Sequence, residues 1–275
     1  MTRKSHISGA ALLAIVLTAC AVSPTGRRQL ALVSEDSAIA ASDEAYAMQI
    51  GELRKEGKIV PASSRVAKRV EGITERLVAQ ATMKRPETAD WKWSMEVIDD
   101  PEVVNAWCMA GGRMAVYTGL IQKLDPTDDE LAQVLAHEIS HALANHTAER
   151  MSALATNVGV ALAGILSDDA QKTMSQAALA AALAIQLPNS RAAESEADEI
   201  GIEIAAKAGY NPNAAISLWE KMGKVGGGGP PQFLSTHPSP ANRQERLAEL
   251  APQMMAYYEQ ARRNAPTHAV ARADE

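Results

Sequence analysis

Cysteine is almost absent from this chain of 275 residues, in which only Cys20 and Cys108 occur. So few thiols cannot support the fold through a disulfide framework. Phenylalanine occurs once, and aromatic residues make up 4% of the sequence. The core must therefore be built from aliphatic side chains, and Cys108, which lies in an apolar segment, is predicted to be buried and inert.

Basic residues are too few for a nucleic-acid-binding protein. The 27 lysine and arginine residues are outnumbered by 33 aspartate and glutamate residues, and the net charge at pH 7 is −6. Because phosphate binding requires a basic surface, nucleic acid is excluded as a partner. The same balance disfavours a polybasic patch as the attachment to a membrane.

No apolar run is long enough to cross a bilayer as a stable helix. A short run near the start follows two basic residues and ends in Leu17–Cys20, with small residues before the cysteine. This arrangement is typical of a bacterial secretory signal with a lipidation site. We expect a signal peptide over residues 1–19, a lipid on Cys20 and a tether over residues 20–34. An ordinary signal peptide cleaved near Ala19 is the alternative.

A lipid on Cys20 would hold the protein on a membrane surface without a membrane-spanning segment. Ala21 follows the cysteine, and the lack of aspartate at this position is similar to lipoproteins of the outer membrane. The sequence therefore predicts a periplasmic protein that is anchored through Cys20, with the outer membrane as its expected location.

The strongest chemical signal lies in a predicted helix over residues 127–143. Thr127 can cap the first turn, and Glu130 can reach back to it to form a capping box. His137 and His141 are four residues apart, so both imidazoles project from one face of the helix and can hold one Zn²⁺ ion.

Glu138 lies beside these histidines, where it can reach a water molecule on the metal without binding the metal itself. The three residues form the His-Glu-x-x-His arrangement of zinc peptidases. The alternative is a surface helix with two solvated histidines. The apolar residues around the motif disfavour that alternative, because they predict a buried helix.

A second segment with chemical potential is a predicted helix over residues 190–208. Glu194 and Asp198 share one face of this helix, whereas Glu196 points to nearly the opposite side. Glu194 is the candidate third metal ligand, and Asp198 can accept the N–H of a ligating histidine. The alternative is a solvated acidic face. Arg191 either pairs with a carboxylate near the site or is exposed at the helix end.

The rest of the chain predicts a mainly helical α+β domain. Further helices are expected over residues 35–57, 62–82, 212–223 and 241–263. Two apolar segments after the motif are predicted to be either core helices or a flap over the site, over residues 153–166 and 174–187.

A small sheet is predicted from a strand over residues 91–98 and a hairpin over residues 103–117. Asn105, Ala106 and Trp107 lie in the first run of the hairpin. An edge strand close to the zinc helix could hold an extended peptide as an added strand, and a plain structural hairpin is the alternative. We expect one domain over residues 35–263 and a disordered tail over residues 264–275.

His237 follows a glycine-rich stretch, residues 226–231, that is predicted to act as a hinge. The histidine could swing onto the zinc ion and replace its water, or it could donate a hydrogen bond to an oxyanion. A solvated loop histidine is the alternative. His146, nine residues after His137, is predicted to lie on the opposite side of the same helix and therefore to be structural or at the surface.

These residues resemble peptidase family M48, the gluzincin metalloproteases. The resemblance covers most of the chain and rests on His137–His141 with His146, Arg191–Gly201, Asn105–Ala106 with Gly111–Gly112, Ala208–Pro212 and Ser235–Pro238. Ala110 departs from the proline that the family usually has before the glycine pair. Without a tetratricopeptide array, the chain is similar to the short, single-domain lipoprotein branch, which is LoiP- and BepA-like.

The resemblance implies a zincin-like fold and a zinc endopeptidase that cleaves misfolded or unassembled polypeptides of the bacterial envelope, with other envelope proteins as partners. One Zn²⁺ would be held by His137, His141 and Glu194, with Glu138 as the general base. Two other functions stay open. The protein could be a non-catalytic lipoprotein that acts as a chaperone or assembly factor, or a protein that stores or senses zinc.

Overall fold

The computed structural model describes residues 20–158, 170–225, 232–238 and 242–272. The predicted signal peptide and the glycine-rich stretch at 226–231 lie outside these ranges. Within them, no helix is both long enough and apolar enough to cross a membrane.

The fold is α+β and predominantly helical, as the sequence predicts. The helices, numbered in chain order, are α1 (Glu35–Lys55), α2 (Arg65–Lys84), α3 (Thr118–Leu124), α4 (Asp128–Leu143), α5 (His146–Val158), α6 (Ala170–Ala184), α7 (Arg191–Lys207), α8 (Ala214–Lys224), α9 (Gln232–Thr236) and α10 (Arg243–Ala261). A short 3₁₀ helix at Pro86–Asp90 follows α2.

The strands form a short hairpin and a small mixed sheet. The hairpin pairs β1 (Cys20–Val22) with β2 (Arg28–Leu30), and the sheet contains β3 (Ser94–Ile98), β4 (Ala106–Met109) and β5 (Arg113–Tyr117). The strand order in the sheet is β3-β5-β4, with β5 parallel to β3 and antiparallel to β4. The predicted hairpin is therefore confirmed, and β4 is an edge strand of the sheet.

Glycine is required at the tip of the β4–β5 hairpin. Gly111 and Gly112 both have a φ of 80°, a conformation that disfavours other residues. A Cβ atom on Gly112 would lie 2.5 Å from the ring of Trp93. The tip therefore needs the glycine pair whatever residue stands at position 110.

Helix α4 runs through the middle of the domain. Its predicted capping box is present, because Glu130 N donates to Thr127 Oγ1 and Thr127 N donates to Glu130 Oε2. Every residue from Glu130 to Leu143 is buried. Helices α2, α7 and α8 and strand β4 pack around it, so both faces of α4 meet protein.

Helix α7 approaches α4 very closely at Gly201. A Cβ atom on this glycine would lie 3.1 Å from both Cα and N of His137, which belong to the α4 backbone. A side chain here would be in tighter contact than is usual, and the α4 backbone would have to shift by a few tenths of an ångström to accept it. The contact fixes α7 opposite the histidine motif.

Helix α6 is a core helix within its described residues. Its buried alanines, Ala178, Ala181 and Ala184, belong to a cluster with Ala38, Ala41 and Ala45 of α1. The small side chains allow the two helices to pack together. Of the two alternatives for the Ala-rich segment, core packing is the one that this part of the chain supports.

Both ends of the described chain are more ordered than predicted. Instead of a plain tether, residues 20–34 contain the β1–β2 hairpin, and Gln29 Nε2 donates to Ala144 O at 2.6 Å. The expected disordered tail instead pairs Ala271 with Ser94 in a parallel bridge and joins Arg272 to the buried Glu96 at 2.6 Å. Short polar segments carry no periodic signal, so their docking could not be predicted from the sequence pattern.

The contact at Gly201 generates a stability prediction with a matched control. Gly201→Ala should lower the free energy of unfolding by about 1–3 kcal/mol, because the new methyl group meets backbone atoms that cannot move aside independently. Gly72→Ala, in α2, should instead raise it by about 0.5–1 kcal/mol, because nothing lies within 4 Å of its Cβ position. Urea unfolding of both variants measures the difference. Equal stability of the two variants would contradict the assigned packing.

Candidate active site

The two histidines of the motif converge through their Nε2 atoms. His137 and His141 lie one turn apart on α4, and their Nε2 atoms are 3.0 Å apart. Both side chains are buried. The regular geometry of the capped helix thus brings two imidazole nitrogens to one point, as the spacing predicts.

Glu194 reaches the same point from α7. Ser190 caps this helix, and Glu194 in its first turn extends one carboxylate oxygen to each histidine. Its Oε2 is 3.3 Å from His137 Nε2, and its Oε1 is 3.3 Å from His141 Nε2. The carboxylate is fully buried, so its charge must be balanced by the groups around it.

His237 completes the cluster from the segment after α9. Its Nδ1 lies 3.1 Å from Glu194 Oε1 and 3.3 Å from His137 Nε2. Its ring stacks on Phe233 with centroids 4.3 Å apart. One ligand atom from each of His137, His141, Glu194 and His237 lies within 4.8 Å of the others, which is close enough for all four to hold one metal ion.

Glu138 lies beside the cluster without joining it. Burial raises the pKa of its carboxyl group above the ordinary value. Its Oε1 is 3.5 Å from His237 Nε2 and has no hydrogen-bond partner among the described residues. A buried carboxylate oxygen that is left unpaired next to a possible metal site is suited to exchange a proton with a molecule bound there.

Asp198 and Arg243 support His137 from behind. Asp198 Oδ1 lies 3.0 Å from His137 Nδ1, so it can accept the hydrogen of that nitrogen while Nε2 stays available to a metal. Arg243 donates to the same Asp198 oxygen at 2.6 Å, and its guanidinium lies 3.4 Å over the ring of Trp219. The predicted ligand and its orienting carboxylate are thus brought together.

The pKa shifts of His137, His141 and Glu194 indicate that the cluster favours a bound cation. Burial lowers the pKa of His137, but hydrogen bonds with Asp198 and Glu194 outweigh this and raise it to about 9. Burial lowers the pKa of His141 well below its ordinary value. Burial raises the pKa of Glu194, but its contacts with the two histidines outweigh this and leave it lowered overall. The anionic Glu194 therefore attracts positive charge, which a divalent ion supplies when it replaces the proton of His137.

His146 is not on the motif helix, contrary to the prediction. Asn145 has a φ of 56°, which ends α4 and lets α5 start in a new direction at His146. The His146 side chain is buried, and its Nδ1 lies 2.6 Å from His141 Nδ1. It has the structural role that was one of the two alternatives, but by a different geometry.

The predicted substrate strand lies beside the site but is covered. Ala106 and Trp107, in β4, are buried, and Asn105 precedes the strand and accepts a hydrogen bond from Tyr117 N. Phe233 N donates to Val104 O at 3.1 Å, so the segment that carries His237 also attaches to the start of this edge. The segment that carries His237 therefore already occupies the main chain at Val104, just before β4.

Sequence reasoning missed Arg243 and Asn189. Asn189 Nδ2 lies 3.3 Å from His237 Nδ1 and 3.4 Å from His141 Nε2. Each is a lone polar residue next to a helix start, and no spacing relates it to the motif. Arg191, for which two roles were open, is exposed.

Comparison with known proteins gives one family. The family model described as peptidase family M48 matches residues 64–251. The chain is 32% identical to the mitochondrial metalloendopeptidase OMA1 of Schizosaccharomyces pombe over 231 residues, which are 83% of this chain and 65% of that protein. It is 31% identical to a putative beta-barrel assembly-enhancing protease of Vibrio cholerae over 202 residues, 68% of this chain and 40% of the relative.

A third relative is the metalloprotease YcaL of Escherichia coli, which is 30% identical over 151 residues, 53% of this chain and 58% of YcaL. The chain spans less than two thirds of the length of these curated relatives. The family model, over residues 64–251, includes all of the residues that converge on the site.

The contact between Asp198 and His137 predicts a loss of metal affinity on mutation. Asp198→Asn removes the charge that makes the His137 ring a stronger ligand, so zinc binding should weaken about 10-fold to 100-fold. Competition with a chromophoric chelator measures the dissociation constant. Glu199→Gln, the exposed neighbour on α7, is the control and should bind zinc as the unmodified protein does. Equal affinities of the two variants would remove Asp198 from the site.

Proposed function

Because this chain belongs to peptidase family M48, we propose that it is a zinc-dependent metalloendopeptidase. The observation that carries the proposal is the convergence of His137, His141 and Glu194 on one point, with the unpaired carboxylate of Glu138 beside it. A scaffold protein needs no buried general base, and the combination is suited to hydrolysis of an amide.

The donor set fits zinc. Two imidazoles and one carboxylate from His137, His141 and Glu194 match the composition of catalytic zinc sites that keep a further position open. The negative charge buried at Glu194 and the unpaired oxygen of Glu138 both favour a divalent cation at this point. A zinc ion held there would act as a Lewis acid, which polarises a peptide carbonyl and lowers the pKa of a water molecule.

The protein's own residues then act on protons and on position. Glu138 takes the proton of the attacking water on its carboxylate and delivers it to the amine that leaves. Its raised pKa suits this exchange, because a carboxyl group with a pKa closer to neutral both accepts and releases a proton more readily. Asp198 keeps the hydrogen of His137 on Nδ1, which leaves Nε2 free to bind the ion.

The substrates that we infer are polypeptides in an extended conformation, held along β4 at Asn105, Ala106 and Trp107. The main-chain groups of an edge strand can pair with any extended peptide. Binding by strand addition therefore selects for unfolded segments more than for a particular sequence. Misfolded or unassembled proteins of the bacterial envelope meet this requirement. The name of the Vibrio cholerae relative, a putative beta-barrel assembly-enhancing protease, supports envelope proteins as substrates, and that of the Escherichia coli relative supports a metalloprotease.

We place the protein in the periplasm, attached to the outer membrane by a lipid on Cys20. The leader pattern before Cys20 supports this location.

We infer that His237 holds the enzyme latent. One of its ring nitrogens lies within 4.8 Å of the ligand atoms of His137, His141 and Glu194, and all four side chains are buried. His237 would thus be a fourth, regulatory ligand that must leave before peptide enters. Its stacking on Phe233 and the bond from Phe233 N to Val104 O close the metal and the β4 edge together.

Glu138→Gln tests the catalytic proposal directly. The variant should lose casein cleavage by about 10²-fold to 10⁴-fold while it binds zinc normally, because the amide keeps the shape of the carboxylate but cannot accept the proton. Casein hydrolysis and zinc content are measured on the same preparation. If the variant kept full function in cells, a chaperone, an assembly factor or a zinc-sensing protein would be the correct assignment.

His237→Ala tests the latent state. Casein cleavage should rise several-fold, because the cluster opens while His137, His141 and Glu194 still hold zinc. His268→Ala, on the tail, is the control and should leave the rate unchanged. A fall in rate would instead assign His237 to the oxyanion, and an unchanged rate would remove it from the mechanism.

A further inference from the structure

The outer nitrogen of His141 contacts another histidine, whereas that of His137 contacts a carboxylate. His141 Nδ1 lies 2.6 Å from His146 Nδ1, and His146 Nε2 lies 3.1 Å from Glu196 Oε2. If His141 binds a metal through Nε2, its hydrogen must be on Nδ1 and must be donated to His146 Nδ1. His146 then carries its own hydrogen on Nε2 and donates it to Glu196. In this series of hydrogen bonds, the ring hydrogen of each histidine therefore has only one possible position: Nδ1 in His141 and Nε2 in His146.

Glu196 is held in turn by the segment before α1. Arg27 Nε donates to its Oε2 at 2.7 Å, and Thr25 Oγ1 donates to its Oε1 at 2.6 Å. The two remaining nitrogens of Arg27 form a bidentate pair with Glu149 of α5, at 2.8 and 2.6 Å. Arg27 therefore joins α7 to α5 behind the metal ligands, and the planar guanidinium fixes the angle between them.

The same segment also contacts the end of the motif helix. Gln29 Nε2 donates to Ala144 O, one of the carbonyl groups left free where α4 ends. Val33 N donates to Ser152 Oγ at 2.9 Å. These bonds fix the backbone that follows Arg27 against α4 and α5, which helps to hold its side chain against Glu196.

We propose that Glu196 is a positioning residue for His141, acting through His146, and that docking of the N-terminal segment at Thr25 and Arg27 sets the metal affinity of the site. The relay gives His141 one tautomer and one ring orientation. Without Glu196, His146 can take the other tautomer, which has no acceptor to offer to His141. The inference rests on the proposed function only in taking His141 as a metal ligand.

The position of the segment gives the relay a further consequence. Arg27 lies in the turn of the β1–β2 hairpin, in which Cys20 pairs with Leu30, so a lipid on Cys20 would be attached to the same hairpin that carries Arg27. Tension on the segment from the membrane would act on the contacts that orient His141.

The test measures zinc affinity of the full-length protein, by competition with a chromophoric chelator. Arg27→Gln and Glu196→Ala should each weaken zinc binding about 10-fold to 100-fold, the usual effect of losing an outer partner of a histidine ligand. The controls are Arg28→Gln and Glu199→Ala, exposed neighbours of the same charge, which should bind zinc normally. The absorption spectrum of bound Co²⁺ should change in the two relay variants and stay constant in the controls.

A double variant separates the relay from general loosening of the fold. If Arg27 acts through Glu196, adding Arg27→Gln to Glu196→Ala should cause no further loss of affinity. A further loss equal to that of the single change would overturn the relay, as would normal zinc binding by either single variant. If the other variants do not fold, Thr25→Val is the test, because it removes only the hydroxyl group that donates to Glu196. It should weaken zinc binding about 3-fold. Normal binding by Thr25→Val would then overturn the relay.

Because no step of this experiment needs cleavage, it stands apart from the peptidase assay. A protein that binds zinc through the relay but cleaves nothing would refute the proposed function and leave the relay intact.

Discussion

The structure depends on the close contact between α4 and α7. Gly201 lets the two helices approach until its Cβ position would lie 3.1 Å from the backbone of His137. At that separation Glu194, two turns earlier on α7, can reach both imidazoles of α4 with one carboxylate. The ligands come from helices that are distant in sequence, so the metal site exists only where this packing is made. Gly201, which has no side chain, thus sets the distance between the two helices and therefore the position of Glu194 relative to the two histidines.

The cost of that contact is the burial of negative charge. Glu194 is fully buried and Asp198 nearly so, and a carboxylate away from water is strongly unfavourable unless cations surround it. Arg243 supplies one fixed positive charge to both groups, at 3.3 and 2.6 Å. The imidazole of His137, whose pKa is raised, is protonated when no metal is present and supplies a second positive charge. A divalent ion fits this balance because it replaces a proton and leaves the remaining contacts in place.

Local signals allowed much of the site to be predicted from the sequence. The capped helix, the four-residue spacing of His137 and His141, and the acidic run that contains Glu194 all depend on residues close together in the chain. Arg243, Asn189 and the His146–Glu196 pair could not be found in this way, since their partners lie far away and only packing brings them together. His146 shows the reason most clearly. The prediction continued an ideal helix through Asn145, and one residue with positive φ redirected the chain.

The α9 segment contacts both the metal-ligand cluster and the backbone at the start of the β4 edge. Phe233 binds the start of the β4 edge through its backbone and stacks on His237 through its ring, so neither contact can be lost without weakening the other. Asn189 N donates to Thr236 O at 2.9 Å, which ties the same segment to the loop before α7. One displacement would therefore free the edge at Val104 and remove the imidazole from the ligand cluster. In the enzyme proposed above, the metal site would then open only when the binding edge opens as well, and folded neighbours, which offer no extended segment to that edge, would be protected from cleavage.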